Sequence, residues 1–568
     1  MHPRTCIALL FAFTPLLACR GGGGEDSDGS PGAQSDAGAG ATATGSTGLS
    51  DASTMALDAT TSNGDSGGTE PTDAAAADAA GDAALPTPAT YFQSVFGLTL
   101  DSVSWGDMHT HTYYSGDAVL NSLVPGNPNV ATPATAHQLA RARGFRFSAT
   151  SDHAEAPVPS QITDGSSNVW ESTRKADLAD DDETTADGTP IFATFMGYEY
   201  TNPYPCEDPT PGDGVDECPA EASDGGECSY QGADESCADY GHKNVIFRSL
   251  TGAPTTRVSF LDPASWNQTG PSCNGPSTEH NEYCGFSSYS ALGTSNLGLW
   301  SWLSANGFAP TSAGAQVVTI VHTPANLHHN DWSDTDTGTS YVHNVEIFSK
   351  WGSSEGAPPS NCADQDDEAV SLPTESANAD DPENLIRPVL ATHWIGAGDL
   401  DYVLSFVGGS DDHTGKPGGD GTGGAGVMGL VTSNLTRDGF FDALYARHTL
   451  GATFYDGAPE PVLFAMHAGT QDLLGGDLGM ATADGTATLY ILAASTVQEI
   501  QVVVDGCTVA TLQGAVQTYR LTGLSPSSRH YVYVRARTST ALPDGGTGTA
   551  ETAWNQAWSS PVYLTASP

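Results

Sequence analysis

Gly106-Asp107-Met108-His109-Thr110-His111-Thr112-Tyr113-Tyr114-Ser115-Gly116-Asp117-Ala118 places a His-x-His pair where an apolar run (Val103, Trp105, Met108) gives way to a Ser/Gly/Asp turn. A strand that ends this way hands its last side chains to a pocket. Residues two apart in extended chain point to the same side, so His109 and His111 present both imidazoles to one cation. Two ring nitrogens alone make a weak site, and a lone pair of this kind reads more readily as surface histidines at a turn. The decision rests on how many later segments end in the same way.

Downstream, Thr132-Pro133 to Gly144 carries helix signals, with Thr at the cap, Pro in the first helical position and Gly after the end. Phe145 to Thr150 follows as a short strand and opens into Ser151-Asp152-His153, which makes half of a repeating α/β unit. The pattern recurs. Ile191 to Tyr198 is a near-continuous apolar strand leading to Glu199, Val317 to Val321 leads to His322, Val345 to Phe348 follows, and Tyr402 to Val407 runs into Gly408-Gly409-Ser410-Asp411-Asp412-His413. Apolar runs without alternation suit strands covered on both faces, as in a parallel sheet or barrel, where sites gather at the carboxyl ends. Helices are expected at Leu297 to Asn306, Pro382 to His393 and Asp438 to Arg447.

The residues collected at these tips are His109, His111, Asp117, His153, Glu199, His242, His322, Asp411 and His413. Imidazole and carboxylate suit Zn, Mn or Fe, and this set exceeds the roughly four to six ligands that one ion accepts, so two or three divalent ions are expected. The order HxH, D, DH, E, H, H, DxH resembles the polymerase-and-histidinol-phosphatase (PHP) superfamily of metallohydrolases. The wording GDMHTHTYYSGDA, SDHAE, GHKNVIF, NVEIFSKWGSSE and GSDDHTG resembles one branch of it, the domain of unknown function 3604. ALYARHTLGAT and AWSSPVYLT, further on, also look like that branch. The resemblance implies a distorted (β/α)7 barrel with a trinuclear site, the nine residues above on its ligand positions, and Glu199 as the carboxylate bridging two ions.

Other polar residues carry two readings each. Asp152 is either an orienter of His153 or the cap of its strand, since metal-bound histidines need such partners. Asp412 either protonates a leaving group or is a turn carboxylate. Glu346 either supports a ligand or is a buried structural acid. Only four lysines occur, Lys175, Lys243, Lys350 and Lys416. Lys243, Lys350 and Lys416 stand close in sequence to His242, Glu346 and His413, so with Arg174 they are the candidates to meet an anionic substrate.

The flanks set compartment and partners. Arg4, the apolar stretch Ile7 to Leu17 and Leu16-Leu17-Ala18-Cys19 resemble a bacterial lipoprotein signal over residues 1–19, with lipidation at Cys19. An ordinary secretory signal is the alternative, and both export the chain, with an outer-membrane anchor facing the periplasm or cell surface as the expected address. Residues 20–90 form a Gly/Ser/Ala/Asp-rich tether; from Gly21 to Ala89 it has no Lys, no Arg and no aromatic residue. It cannot bury enough apolar surface to order itself. As a coil of roughly 70 residues it spans about 40–50 Å. The net charge of −49 excludes nucleic acid as a partner, because a polyanion is repelled at long range. Of ten cysteines, eight lie beyond Cys6 and Cys19 without CxxC spacing, which in an oxidising compartment favours disulfides. Cys273 with Cys284 is one plausible pair; Cys362 with Cys507 would join two domains.

The expected organisation is therefore α/β: a metal-dependent hydrolase barrel over 91–457, with a cysteine-rich insertion at 202–240, followed by a small β-sandwich over 458–568. The sandwich is expected from short strands at Ala487 to Leu492, Ile500 to Val504, Thr508 to Leu512, Tyr519 to Leu521, Tyr531 to Ala536 and Pro561 to Leu564. The favoured activity is phosphoester hydrolysis by water made acidic by neighbouring ions, on a small anionic ester. Sulfate ester or amide hydrolysis is the close alternative. An anchored binding protein with purely structural metals is the rival from another class.

Overall fold

Val103 does begin a strand. The computed structural model describes residues 85–115, 118, 130–153, 166, 169–181, 192–200, 242–255, 297–309, 315–324, 332, 341–362, 384–396, 402–419, 425–454, 459–538 and 555–567. The signal with Cys19, the tether up to residue 84, Asp117, the cysteine-rich insertion, Cys273 and Cys284 lie outside the described residues. In chain order the first strands are β1 (Val103–Asp107), β2 (Phe147–Thr150), β3 (Ala193–Tyr200), β4 (His242–Phe247), β5 (Val317–His322), β6 (Val342–Ser349), β7 (Gly352–Ser353), β8 (Ser405–Gly408), β9 (Ala425–Val431) and β10 (Thr449–Phe454).

The fold is mixed α/β, but the strands are not a uniformly parallel array. β1, β2 and β3 run parallel, as do β5, β6 and β8, whereas β4 is antiparallel to both β3 and β5. This reversal corrects the expectation that every ligand sits at a strand's carboxyl end. His242 opens β4 and lies in register with His322, which closes β5. β9 and β10, unforeseen in the glycine-rich 425–454 region, extend the sheet antiparallel beyond β1. Gly426 is needed there because a Cβ would fall 2.1 Å from the Phe348 carbonyl oxygen.

The segment after β8 returns to the segment after β1. Asp411 N donates to His109 O (2.8 Å) and His111 N donates to Asp412 O (2.9 Å), so two loops distant in sequence are zipped together at their backbones. The helices flank the strands. Pro133–Ala142 has the expected cap, Thr132 Oγ1 accepting from Thr135 N, and ends before Gly144 at φ 82°. Leu297–Ala305 and Arg437–Tyr445 also form where expected. The stretch expected as one helix to His393 is instead the short helix Ile386–Leu390 running into a π-helical turn, Ala391–Ile395.

The C-terminal strands are β11 (Val462–Ala468), β12 (Gln471–Leu474), β13 (Leu478–Met480), β14 (Ala487–Ala493), β15 (Val497–Val504), β16 (Cys507–Gln513), β17 (Val516–Leu521), β18 (His530–Thr538), β19 (Asn555–Ser559) and β20 (Val562–Thr565). The turn from β15 to β16 uses Asp505 and Gly506, both at positive φ, as a tight hairpin requires. β12-β11-β14-β17 form a separate four-stranded sheet. The other C-terminal strands belong to the 16-stranded main sheet, entering it through β19 paired with β10. One layer of the expected sandwich is thus a continuation of the sheet that carries the histidines.

Cys362 and Cys507 are joined by a disulfide across a sequence separation of 145. Closing so long a loop restricts the unfolded chain, so Cys362→Ser with Cys507→Ser is expected to lower stability by about 2–5 kcal/mol. Guanidinium denaturation of the oxidised wild type beside the double variant measures this. Superimposed curves would refute it.

Candidate metal centre

The backbone zipper between the β1 and β8 loops gathers side chains from the ends of six strands, β1, β2, β3, β4, β5 and β8. Nε2 of His109 lies 3.2 Å from Nε2 of His111, 3.2 Å from Glu199 Oε2 and 3.3 Å from Asp411 Oδ1. Nε2 of His111 is 3.0 Å from the same two oxygens. On the other side of Glu199, Oε1 stands 2.6 Å from Nδ1 of His242, and Oε2 stands 3.6 Å from Nδ1 of His153. His322 Nε2 is 3.4 Å from Asp411 Oδ2, and the His413 ring stacks on His111 with centroids 4.2 Å apart.

Among the described residues, four overlapping groups have donor atoms within 4.8 Å of one another: His109/His111/Glu199/Asp411, His153/Glu199/His242, His111/His153/His413 and His109/His322/Glu346. Each can hold a metal ion. All their members are buried except His413, which is half-buried. Imidazole nitrogen with carboxylate oxygen is the donor chemistry of Zn, Mn and Fe sites, so the residues fit divalent cations. Eight of the nine residues expected as ligands are thereby brought together; the ninth, Asp117, lies outside the described residues.

The electrostatics match a site built for positive charge. Burial disfavours the Glu199 anion, yet His153, His242 and His109 outweigh it and hold the carboxyl well below its usual range. Asp411 behaves alike, with burial opposed by Lys350, His413 and His109. Burial and the His109 cation resist protonation of His322, but Glu346 and Asp411 prevail and push it up to about 9. Against burial, His109 is raised well above the ordinary imidazole value by Glu346, Asp411 and Glu199. Metal-free protein therefore keeps protons on nitrogens that could otherwise bind a cation. Cation uptake must displace them, so the affinity is expected to rise with pH from neutrality to about pH 9, with protons released to the buffer. Zinc titration calorimetry in buffers of different ionisation enthalpy measures that release; buffer-independent heats would overturn it.

Glu346 is the supporting residue that the strand pattern left open. Its Oε1 meets Nδ1 of His109 (2.8 Å) and its Oε2 meets Nδ1 of His322 (2.5 Å), turning both Nε2 atoms toward Asp411. Gly409 makes room for it, since a Cβ there would stand 2.3 Å from Glu346 Oε1. Asp107 was not singled out in the sequence, although it is the acid that precedes the His-x-His turn. Fully buried, it accepts from His109 N (2.9 Å), Thr110 Oγ1 (3.0 Å), Ser410 N (3.3 Å) and Gly418 N (2.7 Å), binding the two zipped loops to one carboxylate. Thr323 and Asp411, next to or among the candidate ligands, take positive φ of 40° and 47°. Strained backbone of this sort collects at functional sites.

The remaining candidates divide. Both oxygens of Asp152 accept from Thr112, at its N (2.5 Å) and Oγ1 (2.8 Å), which ties the loop after β2 to the loop after β1. Asp412 Oδ1 accepts from Thr414 N, Thr414 Oγ1 and Lys416 N, the arrangement of a turn carboxylate. Lys350 is at the cluster, its Nζ 2.9 Å from Asp411 Oδ2 and 2.8 Å from His413 Nδ1. Lys416 lies in the turn after His413. Lys243 is buried in β4, where alternation sends it to the face opposite His242. Arg174 ties its helix to the carbonyls of Ala253 and Pro254.

No protein-family model and no curated protein matches this chain. Among solved structures it is similar to the fibronectin(III)-like modules of Clostridium thermocellum CbhA, at 14% identity over 16% of this chain and 91% of that chain, with a TM-score of 0.12.

Proposed function

We propose that the protein is a metal-dependent hydrolase, a phosphoesterase, that takes a small anionic ester. One observation carries the reading: imidazoles and carboxylates from His109 through His413 meet in one buried cluster at donor spacings that suit cations. His109, His111, His153, Glu199, His242, His322, Asp411 and His413 would hold two or three ions, with Asp117 as a further ligand and Glu199 shared between neighbouring groups. When bound, such ions supply Lewis acidity, which withdraws charge from an ester oxygen and makes water acidic enough to attack at neutral pH. Glu346 orients His109 and His322, Asp107 holds the two loops in register, and Lys350 offers counter-charge to the anionic ester. We read the strands as the distorted (β/α)7 barrel of the PHP superfamily. In support, two parallel triplets flank the reversed β4, and the β8 and β1 loops are bonded to each other.

The N-terminal segment completes the proposal: a lipoprotein signal, a lipid on Cys19 and a long tether would display the enzyme outside the cytoplasm at the outer membrane. Elemental analysis of purified protein, followed by aryl phosphate, aryl sulfate and anilide panels with and without chelator, tests the activity. Two or three equivalents of metal with chelator-sensitive phosphate release are expected. Metal-free protein, or loaded protein inert toward all panels, would overturn the reading.

A further inference from the structure

The turn that carries Lys350 also carries an indole that the cluster does not need for packing. β6 and β7 form a hairpin, Ser349 pairing with Gly352, so Lys350 and Trp351 are its two tip residues. Trp351 is 42% exposed, whereas Trp170, Trp300, Trp332, Trp394 and Trp558 are each 4% exposed or less. Yet the ring is not loose: Nε1 donates to Asp411 Oδ2 (2.8 Å), and the backbone N–H donates to Ser349 Oγ (3.2 Å). Lys350 Nζ lies 5.0 Å from the indole centroid and 2.9 Å from Asp411 Oδ2, so positive charge sits between the ring and the carboxylate. Behind the tip, Ser354 N bonds Ile347 O, and Glu355 is buried against Arg387. The indole edge is thus fixed to a ligand residue while much of its surface faces solvent.

We propose that Lys350 and Trp351 form the recognition edge of the centre, selecting a small oxyanion ester whose leaving group is a flat aromatic ring. This rests on the hydrolase reading above and names its substrate class. The ammonium meets the oxyanion, and the indole stacks the ring beyond it. In so acidic a chain the local positive charge of Lys350 favours a small ester over an extended polyanion.

Binding of phenylphosphonate and methylphosphonate to the zinc-loaded, full-length protein tests this, because neither compound contains an ester bond to hydrolyse. Wild type is expected to bind the phenyl compound roughly 10–100-fold more tightly, the range of one aromatic stack. Trp351→Ala should collapse that ratio to about one, and Trp351→Phe should retain most of it. Lys350→Gln should weaken both compounds by a similar factor, leaving the ratio in place. Metal content is measured for each variant. Should Trp351→Ala lose metal, Trp351→Phe decides, because it removes the same N–H bond to Asp411 but keeps an aromatic face. A wild-type ratio near one, a ratio unmoved in Trp351→Ala, or a Phe variant that loses it overturns the proposal. Phenyl phosphate turnover is followed in parallel. A preserved ratio without turnover sinks the hydrolase reading and leaves the recognition edge standing; turnover without a ratio does the reverse.

Discussion

Glu199→Gln is expected to strip at least one metal equivalent from the protein and to cut phosphoester hydrolysis by more than about 100-fold, while the far-ultraviolet spectrum stays that of a folded chain. The carboxylate is the one group common to the His109/His111/Asp411 and the His153/His242 sets. Its two oxygens face different imidazoles, Oε1 toward His242 and Oε2 toward His109 and His111. An amide of the same shape offers one acceptor instead of two, carries no charge, and turns its NH2 toward a ring nitrogen that should bind a cation. The same change removes an anion that holds His109 and His111 protonated in metal-free protein, so both should titrate at lower pH in the variant. Elemental analysis, initial rates and histidine NMR titration read these effects. A variant with wild-type metal content would show that Glu199 is not the shared ligand.

Glu355→Ala is expected to destabilise the protein by about 3–5 kcal/mol, because it leaves two buried guanidinium groups without their carboxylate. Glu355 Oε1 accepts from Arg387 Nη2 (2.8 Å) and from the Tyr533 hydroxyl; Oε2 accepts from Trp558 Nε1 (2.9 Å) and lies 3.5 Å from Arg535 Nη1. Glu355, Arg387, Arg535 and Trp558 are each at most 1% exposed, so water cannot replace the lost bonds. Arg535 and Tyr533 come from β18 and Trp558 from β19, whereas Glu355 follows the β6–β7 hairpin. The cluster therefore pins the C-terminal strands to the turn that presents Lys350. Urea denaturation of Glu355→Ala beside an exposed control such as Asp484→Ala measures the cost. A loss below about 1 kcal/mol would mean that this buried cluster is not what fastens the two regions.

Legibility followed the range of the interactions involved. His109, His111, His153, His322, Asp411 and His413 were readable because each follows an apolar run at the point where turn residues begin, and that signal is local. The caps Thr132 and Gly144 were readable for the same reason. β9 was not: Ala425-Gly426-Val427-Met428-Gly429-Leu430-Val431 has weak strand character, and its glycines are there to admit Phe348 and Trp105 from other strands. Asp152, Asp412 and Glu346 look alike in sequence, each an acid at or near a strand tip. They separate by which donors face them: Thr112 for Asp152, the turn at Thr414 and Lys416 for Asp412, two imidazoles for Glu346.

Composition and local pattern were enough to determine the α/β character, a strongly acidic chain, and a store of imidazoles and carboxylates at strand tips. Only the tertiary structure decided that β4 runs backward so that His242 meets His322, that the C-terminal strands continue the main sheet through β10 and β19, and that Cys362 pairs with Cys507. The reason is physical. Periodicity and capping act over a few residues and leave their mark along the chain, whereas strand direction, sheet order and the partner of a buried acid are set by contacts between segments a hundred or more residues apart.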